Sequence, residues 1–108
     1  MQFKVHMLAF GEPERVRMVT IPDKEVSPIE SELLDQIFYY GQNDFAVGPE
    51  KNTTCSVSAG DVIELGVVGQ GGKYIMVRMA GFGEITPEEF AEHRAMDRQD
   101  RTFNRFVF

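Results

Sequence analysis

Cysteine occurs once, at Cys55, tryptophan is absent, and histidine occurs twice, at His6 and His93. A lone cysteine excludes an internal disulfide, so the chain must rely on an ordinary apolar core. A metal site needs several His, Cys or carboxylate ligands to converge, and these three lie far apart in sequence. No metal and no cofactor is expected. Cys55 has no neighbouring base that would make it a nucleophile, and no residue is assigned a catalytic role. Basic residues are outnumbered, 11 against 17 acidic ones, for a formal net charge of −6. That disfavours a protein working mainly by neutralising phosphates. No apolar run approaches the about 20 residues that a helix needs to span a bilayer. The N-terminus lacks the continuous apolar stretch and cleavage site of a signal peptide. The expectation is a cytoplasmic protein without membrane contact.

What is present fits one α+β domain over residues 1–108. Hydrophobic residues make up 43% and charged residues 26%, ordinary for a globular chain. Nine Phe and six Met suggest an adaptable core, because Met fills irregular gaps. Residues 2–10 alternate, with Phe3, Val5, Met7 and Ala9 on one face and Lys4, His6 and Leu8 on the other, the period of a strand with one buried face. The stretch GEPE at 11–14 reads as a turn, and 15–21 alternates again. Ser27, Pro28 and Glu30 spell a capping box with proline at the first helical position. The spacing of Ile29, Leu33, Leu34, Ile37 and Phe38 then predicts a helix over 28–40. Gly41 sits where a left-handed residue would end it.

Residues 42–60 read as loop, with a short strand near 54–58. Two strands follow, at 61–68 and 73–82, joined by a turn through Gly69, Gly71 and Gly72. This glycine-rich turn is not a phosphate loop. Counting back from Gly72-Lys73 lands on Val67, and a strand follows where a helix is required. Thr86, Pro87 and Glu89 repeat the capping box and open a second helix that would continue to about Arg101. The order β-β-α-(β)-β-β-α predicts an antiparallel sheet of four to five strands with two helices.

Three places could carry function. Tyr40, Gln42, Asn43 and Asp44 cluster in FYYGQNDF at 38–45, with Asp61 able to face the same region. They read as a polar ligand- or partner-binding loop, or as a helix end whose Asn and Asp bond their own backbone. Arg94, Arg98, Arg101 and Arg105 would share one face of a continuous helix. They form either a cationic stripe for nucleic acid or an acidic partner, or a solvated face partly cancelled by Asp97 and Asp100. The tail 102–108 holds Phe103, Phe106 and Phe108, which would be costly to leave in water. It either folds back or docks on a second chain.

YYGQNDF, then SVSAGDVIEL, then a Tyr-containing strand ending in GFGEIT resemble a group of small bacterial and phage or plasmid proteins. The opening FKVHMLAFGEPERVRMVTIP is similar to theirs too, so the likeness runs from Phe3 to Phe90. The group has no established enzymatic activity. The resemblance therefore implies an accessory role rather than a mechanism. The leading expectation is a non-catalytic binding module with a protein partner or a second copy of itself. The alternatives are a nucleic-acid contact protein using the arginine stripe, and a small-ligand binder or enzyme near residues 39–45.

Overall fold

A computed structural model describes residues 1–10, 15–42 and 56–108, apart from the side chain of Thr102. The expected turn at 11–14, the loop residues Asn43, Asp44 and Phe45, and Cys55 lie outside the described residues. The elements are β1 (Gln2–His6), β2 (Val16–Thr20), a short 3-10 turn (Asp23–Glu25), α1 (Glu30–Tyr40), β3 (Val62–Leu65), β4 (Lys73–Val77), β5 (Phe82–Ile85), α2 (Pro87–Ala95) and α3 (Arg98–Phe103). The fold is α+β, with one open five-stranded antiparallel sheet in the order β2-β1-β3-β4-β5.

The register places Val5 opposite Arg17 on one side and Ile63 on the other, Ile63 opposite Ile75, and Met76 opposite Gly83. Alternation along the strands then feeds two separate cores. On the first face Val5, Met7, Val19, Ile63, Ile75 and Val77 pack under Leu34 and Ile37 of α1. On the second, Leu8, Val62, Met76 and Ile85 pack under Phe90 of α2 and under Phe106 and Val107 of the tail. Full burial of a side chain of this size is worth about 1.5–3 kcal/mol. The expectation of a first strand with one buried face is therefore corrected. Leu8, on the supposed outer face, is as buried as Val5, because the second half of the chain covers it.

The two capping boxes behave differently. Thr86 forms the box: its hydroxyl accepts from the Glu89 amide at 3.1 Å, and the Glu89 carboxylate accepts from the Thr86 amide at 2.9 Å. Pro87 is the first helical residue. Ser27 does not cap α1. Ile29 stands at the cap position in extended conformation, and the helix begins at Glu30 rather than at Pro28. The Ser27 hydroxyl instead accepts from the Ile29 amide at 3.1 Å and donates to Glu32 at 2.8 Å.

The long second helix is likewise two helices. Met96 is extended, and the Asp97 side chain accepts from the Asp100 amide at 3.0 Å to open α3; aspartate is a better cap than interior helical residue. The expected strand at 73–82 splits at a turn where Gly81 has φ +90° and the Arg78 amide donates to the Gly81 carbonyl at 2.9 Å. Residues 56–58 are not strand. Gly41 is not left-handed, with φ −79°. It is glycine for a different reason: an added Cβ would lie 2.4 Å from the Val57 side chain. Among the described residues no helix is long and apolar enough to cross a membrane.

Candidate functional site

The residues expected to line a polar loop are bonded into the scaffold where the structure describes them. The Tyr40 hydroxyl donates to the Glu25 carboxylate, and that bond raises the phenol's pKa. The Gln42 amide donates to the Phe38 carbonyl at 2.7 Å and the Val57 carbonyl at 3.3 Å, closing the end of α1. Asp61 is almost fully buried. One carboxylate oxygen accepts from the Ala9 amide at 2.9 Å and the other from the Ser58 amide at 2.8 Å. Burial pushes its pKa up to about 6 against the pull of those amides and of the Arg17 charge. Asp61 thus fastens the end of β1 to the turn before β3.

Sequence reasoning missed Arg17, the residue that ties these parts together. It is buried, and its guanidinium donates to the carbonyls of Gly41 and Gln42. The signal was its phase: Arg17 shares a strand face with Val19, a core residue.

The four arginines do not form one stripe, since the chain turns between Ala95 and Arg98. Arg101 is buried, donating from Nε to the Leu8 carbonyl and from a terminal nitrogen to the Met96 carbonyl, both at 2.7 Å. Arg105 pairs with Glu92 at 3.3 Å and lies over the Phe106 ring. Arg98 lies over the Phe10 ring. Arg94 is exposed on α2.

Arg101 belongs to a buried polar set that holds the end of the chain. His93 Nε2 lies 2.8 Å from the Gly60 carbonyl, and its Nδ1 lies 3.0 Å from the Asn104 amide nitrogen. A carbonyl on one side and an amide donor on the other fit only the neutral ring with its proton on Nε2. Burial and the Arg101 charge lower the ring's pKa to the same effect. Asn104 also accepts from the Phe106 amide at 2.8 Å. Phe106 and Val107 are buried behind it, while Phe103 and Phe108 remain exposed.

A second imidazole, His6, sits beneath α2 rather than on an exposed strand face. It bonds Glu64 at 3.2 Å, and Lys4 lies 3.7 Å from the same carboxylate. The ring lies against Phe90, on which Tyr74 stacks at 4.1 Å. Burial lowers the His6 pKa, with Glu64 opposing. Lys4 and Glu64 border a cleft of about 440 Å³ that also meets Met18 and Val67. Glu64 can orient the His6 imidazole, which has the Phe90 and Tyr74 rings beside it. Among the described residues no three His, Cys, Asp or Glu side chains converge to hold a metal.

A further concave region lies between α1 and β5. Two adjoining clefts of about 210 and 240 Å³ share Phe82. Glu30, Leu34, Asp35 and Phe38 form the helix wall, a stripe at helical spacing. The floor is Ile75 and Val77 of β4. Phe38 and Met79 are 38% and 61% exposed at one end. At the other, Lys73 is held by Glu30 at 2.7 Å and Glu84 at 3.7 Å, and the Glu30 bond raises its pKa. Sequence reasoning missed this groove, because it exists only once β5 is known to be an edge strand. Comparison of the chain with family models, with curated proteins and with solved structures returns no match.

Proposed function

We propose that the protein is a non-catalytic binding module, an accessory protein of the cytoplasm, whose partner is another protein seated in the groove between α1 and β5. The observation that carries this reading is the exposure of Phe38 and Met79 beside half-buried Phe82. Large apolar side chains gathered at a concave surface mark interaction sites more often than scattered ones do. The polar loop of residues 40–44 contributes less to this reading than the sequence suggested, since Tyr40 and Gln42 spend their hydrogen bonds on the scaffold. A cationic stripe for nucleic acid is weakened by the burial of Arg101.

The test is retention from a lysate of the protein's own source, with the wild-type chain and a Phe38→Ser/Met79→Ser variant immobilised side by side. The reading expects a stoichiometric protein that survives nuclease and is lost from the variant. Retention lost on nuclease treatment would favour nucleic acid at Arg94, Arg98 and Arg105. Retention indifferent to the substitutions would remove the groove.

A further inference from the structure

Resting on that reading, we propose that the partner enters as an extended segment that adds to the sheet as a sixth strand along β5. The segment carries apolar side chains on alternate residues and Lys or Arg at its flanks. The phase of the β4–β5 ladder supplies the first argument. The Arg78 amide bonds the Gly81 carbonyl, and the register then makes Met76–Gly83 and Tyr74–Ile85 the bonded pairs. Phe82 and Glu84 therefore direct their amides and carbonyls away from the sheet. Among the described residues none bonds them.

The second argument is the groove itself. Phe82 opposes Val77, so the side chains of Phe82 and Glu84 lie on the face that carries α1. A strand laid beside them would direct every second side chain to that face, next to Phe82 and Glu84 on the open side of the groove, as strand-addition sites do.

The third is charge. Three carboxylates, Glu30, Asp35 and Glu84, and two cations, Lys73 and Arg78, line the groove; Lys73 is already engaged by Glu30 and Glu84, and Arg78 donates from Nε to the Phe106 carbonyl at 3.2 Å. A second copy of this chain would bring that acidic rim against itself, on a molecule of net charge −6. A basic segment of another protein is the complementary occupant.

A random seven-residue peptide library displayed on phage is selected against the full-length chain, and an enriched peptide is synthesised. The expected peptides alternate apolar residues between flanking Lys or Arg. They protect the Phe82 and Glu84 amides from hydrogen exchange, and bind about tenfold or more weaker when N-methylated at an amide facing β5. Peptides that bind without protecting those amides, or that tolerate N-methylation, would overturn strand addition while leaving a protein-binding groove intact. So would a library yielding nothing while a folded protein is retained from lysate through Phe38 and Met79. Enriched peptides that bind elsewhere, indifferent to Phe38→Ser/Met79→Ser, would remove both the strand and the groove.

Discussion

On one face of the sheet a single helix among the described residues, α1, lies over Val5, Ile63 and Ile75, and the Arg17 side chain ties its end to β2. On the other, α2 and the chain's last residues close over Leu8, Val62 and Met76, and α3 is held there by Arg101. The geometry of layers explains the contrast. Five strands set about 4.8 Å apart make a sheet about 19 Å across, while one helix with its side chains is about 10–12 Å wide. Among the described residues, a lone helix held toward β2 leaves the β5 side of its face uncovered, and the groove follows. The second face has enough chain to cover it. Its last segment is short, so it is fastened by buried polar groups as well as by Phe106 and Val107.

The comparison breaks most severely at Asp61. Asp61→Ala deprives the buried amides of Ala9 and Ser58 of their acceptors. The expected loss in urea denaturation is about 2–4 kcal/mol. A loss within experimental error would mean that the end of β1 and the turn before β3 are not held together by these bonds. Next is α2: Thr86→Ala removes a formed capping box and should cost about 1 kcal/mol, whereas Ser27→Ala should cost only a few tenths of that. Equal costs would contradict the asymmetry between the two helix starts.

Acidity sharpens the same comparison. The folded pKa of His93 is lowered, so the unfolded chain takes up a proton first as pH falls below about 6.5. The contribution of the neutral ring is present above that pH and is lost below it. The stability gap between wild type and His93→Ala should therefore narrow on acidification from pH 7.5. Asp61 has the opposite sign. Its folded pKa is raised to about 6, so ionisation costs stability at neutral pH, and that cost fades as pH falls from 6 toward the unfolded value. The gap between wild type and Asp61→Ala should widen over that window. Gaps of the same sign would overturn the assignment of protonation states. The smallest stability effect belongs to the groove: Phe38→Ser and Met79→Ser, both at exposed positions, should each stay within about 0.5 kcal/mol.

Local grammar was readable. The α2 box is spelled by Thr86, Pro87 and Glu89 and needs nothing beyond four residues of chain. The same grammar misled at Ser27, where the side chain found Glu32 and left the cap to Ile29. Long-range roles were hidden. Gly41 does end α1, though not in a left-handed conformation, and it also makes room for Val57; Asp61, read as able to face the polar loop, instead serves Ala9, 52 residues away. The groove was least legible of all. It depends on β3 pairing beside β1, a crossover that places β5 at an edge and that no local pattern announces.

The most direct test of the account is residue-resolved amide hydrogen exchange on the free protein at neutral pH. The account predicts alternation along β5: Gly83 and Ile85 protected by β4, Phe82 and Glu84 exchanging orders of magnitude faster. Protection of Phe82 and Glu84 equal to that of Gly83 would contradict it, because the edge offered to a partner strand would then already be covered.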